Sequence, residues 1–70
     1  MIWNNKKLDD LDRKIVKEFA DNDMKIRRTA DALHFHSNSI DYHLRKVERV
    51  TGLNPKNFYD LNKLLYEMED

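Results

Sequence analysis

Apolar residues recur at helical spacing through most of the chain, and no stretch alternates between apolar and polar residues as a half-buried strand does. The first such segment places four apolar residues on one side of a helix: Leu8, Leu11, Ile15 and Phe19. This spacing predicts a helix from about Leu8 or Asp9 to Ala20, ended by the polar turn of residues 21–23. The first turn carries three acids that complement the helix dipole, which favours a structural role for Asp9, Asp10 and Asp12.

The next two segments have the spacing of a helix-turn-helix. They predict a second helix from residue 26 or 27 to 33 and a third from 37 to about 51. Five residues are expected to pack between these helices: Ala30, Leu33 and Phe35 from one side, and Ile40 and Leu44 from the other. In the turn, His34 is expected to be left-handed, a conformation that histidine tolerates better than most residues other than glycine. Any helical hairpin in a small bundle has similar apolar spacing, so a purely structural hairpin stays open on the pattern alone.

A fourth helix is predicted after a turn at Asn54 and Pro55. Gly52 is placed to end the third helix as a left-handed residue, and Asn57 is a suitable N-cap for the fourth. The apolar residues of the fourth helix are Phe58, Leu61, Leu64, Leu65 and Met68. The pattern therefore predicts an all-α domain of four helices that contains a helix-turn-helix and no wing of strands.

Composition narrows the classes of function. Seventy residues make one small domain without room for an enzyme cleft, and no nucleophile, base and orienting group occur at a coherent spacing, so we expect no enzyme and no catalytic residues. The chain has no cysteine and no apolar run longer than three residues, which argues against a disulfide framework, a signal peptide or a membrane span and favours the cytoplasm. We expect residues 1–7 to be a loose lead-in or linker, and residues 8–70 to be the helix-turn-helix domain. A start so close to the first helix fits either a complete small protein or a domain cut from a longer regulator, of which we favour the second.

Three histidines lie close together in the sequence, at His34, His36 and His43. No cysteine or cluster of carboxylates accompanies them, and zinc sites are normally built with such ligands. We therefore expect neither a bound metal nor a cofactor, and we assign the histidines to structure or to nucleic-acid contacts.

Charge is unevenly distributed, although the formal net charge is zero. Residues 24–49, which contain the predicted hairpin, hold six bases against three acids, whereas residues 9–23 hold six acids against three bases. In a helix-turn-helix, the first hairpin helix crosses the DNA backbone and the recognition helix enters the major groove. The candidates for phosphate contacts are Arg27, Arg28, Thr29, His43, Arg45, Lys46 and Arg49. The candidates for base-edge contacts are Ser37, Asn38, Ser39, Asp41 and Tyr42, of which Asn38 is suited to reading adenine.

The stretch from Thr29 to Glu48, followed by Thr51-Gly52-Leu53-Asn54-Pro55, resembles the C-terminal helix-turn-helix domain of PucR-type regulators of purine and sugar-diacid catabolism. The family pattern is roughly T-A-x-x-L-x-x-H-x-N-T-(L/I)-x-Y-R-(L/I)-x-(K/R)-(I/V)-E and then T-G-x-(D/N)-P, and the resemblance covers about residues 8–68. It implies an output domain that binds operator DNA, with ligand-sensing regions upstream. It also places four residues at the DNA-facing start of the recognition helix: Ser37, Asn38, Ser39 and Tyr42. The chain departs from the pattern at Asp41 and His43, where the family usually has basic residues.

The leading hypothesis is a sequence-specific, double-stranded DNA-binding domain, the output module of a longer, ligand-responsive bacterial transcription regulator. As an isolated domain it is expected to be a monomer or weak dimer, because four packed helices leave no long apolar face, and a dimer is expected in the full-length regulator. No membrane partner is expected. The alternative is a helical module that uses the helix-turn-helix shape on a protein partner, and the neutral overall charge and Asp41 keep it open.

Overall fold

The computed structural model describes residues 8–68, and these form four α-helices. The helices are α1 (Asp10–Asp21), α2 (Ile26–Leu33), α3 (Ser37–Thr51) and α4 (Phe58–Met68). The first three helices begin and end within two residues of the predicted limits, α4 begins directly after the predicted N-cap residue Asn57, and residues 8–68 contain no strand. The prediction of an all-α domain with a helix-turn-helix is therefore confirmed. The predicted lead-in of residues 1–7 lies outside the described residues, as do residues 69–70.

The core lies around α1, which packs against each of the other three helices, while α2 also packs against α3. Apolar side chains from these four helices, and one from the second residue before α1, fill it: Leu8, Ile15, Val16, Phe19, Ala30, Ile40, Leu44, Val47, Leu61, Leu64 and Met68. Most of the stability of helices this short comes from such packing rather than from helix propensity. Within residues 8–68, no helix is long and apolar enough to cross a membrane.

Three side chains that were predicted on core-facing positions lie at the surface instead. Phe58, at the first position of α4, is 61% exposed. Leu11 is 38% exposed, because the inward face of α1 is centred on Asp12, Ile15 and their neighbours one turn along. Phe35 is 37% exposed and follows the left-handed residue at which the chain leaves α2. Its backbone N–H donates to the Ala30 carbonyl at 2.9 Å, so this residue closes the end of α2 through its backbone rather than through apolar packing.

The ends of the hairpin helices follow from local chemistry, as predicted. His34 is left-handed, with φ 60° and ψ 40°, and its N–H donates back to the last turn of α2. Gly52 is left-handed with φ 78° and ends α3. At the start of α4, the Asn57 side-chain oxygen accepts two first-turn N–H groups, both at 3.0 Å. These residues therefore determine where α2 and α3 end and where α4 begins.

Candidate nucleic-acid interface

The exposed face of α3 carries four side chains at i, i+4, i+7 and i+11, which we call the α3 stripe: Asn38, Tyr42, Arg45 and Arg49. The buried side chains of the same helix, Ile40, Leu44, Val47 and Thr51, lie on its opposite face. Because the apolar face packs against α1 and α2, the core determines the direction in which the α3 stripe faces. The stripe has hydrogen-bonding groups in its N-terminal half and two guanidinium groups in its C-terminal half.

The first turn of α3 is also open to solvent. Ser37 and Ser39 are exposed beside Asn38, and the N-cap residue His36 makes no side-chain capping hydrogen bond. The first N–H groups of α3, at the positive end of the helix dipole, are therefore not capped by the His36 imidazole. Four of the five base-edge candidates thus come together at one exposed end of α3.

The three candidates on α2 are placed differently from one another. Arg27 and Arg28 are exposed, and the Arg28 guanidinium binds the carboxylate of Asp23 at 3.0 Å. Thr29 is fully buried, and its hydroxyl donates to the Lys25 carbonyl at 2.8 Å. We therefore leave Thr29 out of the proposed phosphate contacts, because its only hydroxyl is bonded inside the fold.

A buried carboxylate joins α1 to the recognition helix. The Asp12 side chain has no exposed surface; its Oδ1 lies 2.7 Å from His43 Nδ1, and its Oδ2 lies 2.7 Å from Lys46 Nζ. The Asp12 carboxylate also accepts the Asp9 N–H, while the Asp9 carboxylate accepts the Asp12 N–H, which forms a capping box at the start of α1. We call Asp12, His43 and Lys46 the Asp12 cluster. Both of its α3 members were predicted to contact phosphate, but their side chains are turned toward α1.

Opposing effects set the ionisation of the Asp12 cluster. Burial on its own raises the pKa of Asp12. The hydrogen bonds from Lys46, His43 and the Asp9 N–H, together with the charge of Lys46, outweigh it and hold that pKa below its ordinary value. The hydrogen bond to Asp12 in turn raises the pKa of Lys46. Asp12 is therefore a buried carboxylate compensated by groups from another helix.

The predicted helix-dipole role accounts for only part of what Asp12 does. The available signal was its position on the apolar side of α1, four residues after Leu8 and three before Ile15. A charged residue within an apolar stripe needs a partner, because burying an unpaired charge is costly. The spacing of His43 and Lys46, three residues apart on α3, matches such a partner pair.

Residues 13–68 match the profile of the PucR C-terminal helix-turn-helix domain. The chain belongs to this family. It is also 37% identical over 38 residues to an uncharacterized protein, YsfB, of Bacillus subtilis (strain 168). That match covers 54% of the chain and 10% of YsfB, so the chain corresponds to a small part of that relative. No solved structure matches the chain.

The two positions at which this PucR-type domain departs from the family pattern both contact charged side chains. His43 binds Asp12, as described above. Asp41, predicted to approach a base edge, has one carboxylate oxygen 2.5 Å from Lys56 Nζ and the other 2.9 Å from Arg45 Nε. The hydrogen bond from Lys56 is the main reason that the pKa of Asp41 lies below its ordinary value. Both carboxylate oxygens of Asp41 are thus already bonded to cations.

The interface candidates of this PucR-type domain do not resemble a metal site. Among residues 8–68, no three histidine, cysteine or carboxylate side chains come close enough together to hold a metal ion. The exposed groups of the α3 stripe are amide, phenol and guanidinium groups. These are donors and acceptors suited to the edges of bases and to phosphate oxygens.

Proposed function

We propose that this PucR-type domain binds double-stranded DNA in a sequence-specific manner, as the output module of a longer, ligand-responsive bacterial transcription regulator in the cytoplasm. The observation that carries the proposal is the α3 stripe, which is exposed on the face opposite the core within a helix-turn-helix. In this architecture the N-terminal residues of the second helix contact base edges in the major groove. The exposed start of α3 has the side chains that such contacts require.

The proposed contacts divide along α3 into base readout and phosphate binding. Asn38 is suited to bind adenine through two hydrogen bonds, while Tyr42, Ser37 and Ser39 contact neighbouring base edges or sugars. Two cations in the C-terminal half of α3, Arg45 and Arg49, bind phosphates along the rim of the groove. A fifteen-residue helix is about 22 Å long, so its two halves reach different parts of the duplex.

The arginines at the start of α2 complete the proposed backbone contacts. Arg27 is exposed where the first hairpin helix of such domains crosses the phosphates. Arg28 is bound to Asp23, but both side chains are exposed, and exposed ion pairs contribute only about 0–1 kcal/mol. A phosphate can therefore displace Asp23 at little cost. The proposal leaves out Thr29, His43 and Lys46, whose polar groups are bonded within the fold.

Charge removal from the α3 stripe tests this proposal. We expect Arg49→Gln to weaken binding to a random-sequence duplex and to reduce the slope of log affinity against log salt by about one, because one phosphate contact and its released counterions are lost. Fluorescence anisotropy over a salt series measures both quantities. The matched control is Lys63→Gln, which removes one positive charge from the exposed side of α4 and should change neither. Equal effects of the two variants, or affinity that does not depend on salt, would contradict the proposal.

A second candidate function rests on α4 rather than α3. Three aromatic side chains of α4 are more than half exposed: Phe58, Tyr59 and Tyr66. Aromatic residues are enriched at protein interfaces, so this face fits a protein contact, either in place of DNA binding or beside it. The mutational test separates the two candidates, because a pure protein-interaction module would show no loss of DNA affinity specific to Arg49.

A further inference from the structure

We propose that Lys56 and Arg45 form a phosphate-binding site beside the recognition helix, in which the Asp41 carboxylate holds the two cations next to each other. The inference rests on the proposed DNA binding and adds to it a contact from the loop between α3 and α4. Lys56 was not among the residues that the sequence suggested for DNA contacts. The ligand of the proposed site is a phosphodiester group of the DNA backbone.

The backbone around Lys56 is tied down on both sides. Its N–H donates to the side-chain oxygen of Asn54 at 2.9 Å, and the Asn54 N–H donates to the carboxylate of Asp60 in α4 at 3.0 Å. Pro55, between them, is buried. Before this turn, the Leu53 N–H donates to the hydroxyl of Thr51, the last residue of α3, at 3.1 Å, so the loop is also bonded to α3. The loop therefore places the Lys56 side chain from a fixed backbone.

Asp41 draws the Lys56 side chain to the flank of the α3 stripe. The two residues are fifteen positions apart, yet Lys56 Nζ is 2.5 Å from one Asp41 oxygen. The other Asp41 oxygen binds Arg45 Nε, one turn further along α3, at 2.9 Å. Because Arg45 belongs to the α3 stripe, Lys56 lies beside the surface that is proposed to face DNA.

Lys56 and Arg45 can still bind an anion while they are paired with Asp41. A lysine ammonium has three donors and an arginine guanidinium has five, so the bonds to Asp41 leave donors free on both cations. Two cations and one carboxylate also leave an excess of positive charge. The side chains of Lys56 and Arg45 are 41% and 70% exposed, whereas that of Asp41 is 27% exposed. The cations are therefore more accessible to a phosphate than the carboxylate that orients them, and orienting them in advance reduces the entropy lost on binding.

The test compares charge-removing and charge-keeping variants of Lys56 on a random-sequence duplex. We expect Lys56→Gln to reduce affinity several-fold at low salt and to reduce the salt slope by about one, whereas Lys56→Arg keeps both near the wild-type values. Lys63→Gln is the matched control and should bind as wild type does. If the ion pair of Lys56 were purely structural, its loss in Lys56→Gln would lower the melting temperature and leave the salt slope unchanged. This result would overturn the proposed site.

The role of Asp41 is tested in the same assay by a double-variant comparison. If Asp41 positions Lys56, then Lys56→Gln should lose less affinity in an Asp41→Asn background than in the wild type, because Lys56 is no longer held there. Equal losses in the two backgrounds would overturn the positioning role.

Failure of this inference is distinguishable from failure of the proposed function. If Arg49→Gln loses affinity and salt dependence while Lys56→Gln behaves as wild type, DNA binding stands and the Lys56 site is wrong. If the wild-type domain shows no salt-dependent binding, both are wrong.

Discussion

Replacing Asp12 with alanine is expected to destabilise the domain by roughly 3 kcal/mol, measured as the free energy of unfolding in urea. The substitution removes both hydrogen bonds of the Asp12 cluster, half of the capping box, and the charge that compensates Lys46. Breaking a buried pair by removing one partner typically costs about 3–5 kcal/mol. We place the expected value at the lower end because His43 and Lys46 are partly exposed and can be hydrated.

The control for this substitution is another acid of the same helical turn. Asp10 is exposed and its carboxylate forms an ion pair with Arg13 at 3.1 Å, and exposed ion pairs contribute little, so Asp10→Ala should change stability by less than about 0.5 kcal/mol. For a domain of this length, total stability is roughly 4–10 kcal/mol, and the Asp12 variant should therefore lose a large share of it. Equal effects of the two substitutions would contradict the structural importance of the cluster.

Lowering the pH should remove the contribution of the Asp12 carboxylate to the stability of the wild-type domain. The folded-state pKa of Asp12 is lowered, so its stabilisation is fully present above the unfolded-state pKa of about 3.9 and is lost as the pH falls from there through the lower folded value. The groups that face Asp12 are His43 and Lys46 from α3 and Asp9, the N-cap residue of α1. Urea unfolding at a series of pH values measures the effect.

Asp12→Asn is the comparison that isolates this group, because an amide has no carboxyl proton to gain. We expect its stability to fall less steeply than that of the wild type over the acidic range. The stability of Asp12→Asn should still depend on pH to some extent, since the pKa of Asp41 is also lowered in the folded domain. Parallel curves for Asp12→Asn and the wild type would show that Asp12 does not carry the acid sensitivity.

The sequence was sufficient for features that depend on neighbouring residues. Apolar periodicity located all four helices, and the left-handed conformations of His34 and Gly52 followed from the chemistry of helix ends. Periodicity failed at Leu11, which lies at the edge of the inward face of α1, because the position that points inward is Asp12. An apolar residue next to a buried polar one cannot be assigned to the core by hydrophobicity alone.

The features that were missed depend on contacts between distant residues. Asp12 and His43 are 31 positions apart, and Asp41 and Lys56 are 15 apart. Neither pairing follows from a helical repeat, because each depends on how two elements are oriented after packing. These pairings change the functional interpretation: they turn His43 and Lys46 toward α1 and bring Lys56 beside α3. The charge count of the hairpin alone could not separate cations available to DNA from cations bonded within the fold.

The central claim is that the exposed face of the helix-turn-helix binds DNA. Chemical-shift mapping of the isotope-labelled domain against a random-sequence duplex, at low and at moderate salt, tests it most directly. We predict that perturbed backbone amides cluster in residues 27–29 and 37–49 and that affinity falls steeply with salt as counterions are released. Perturbations centred on α4, or binding that is insensitive to salt, would contradict the claim.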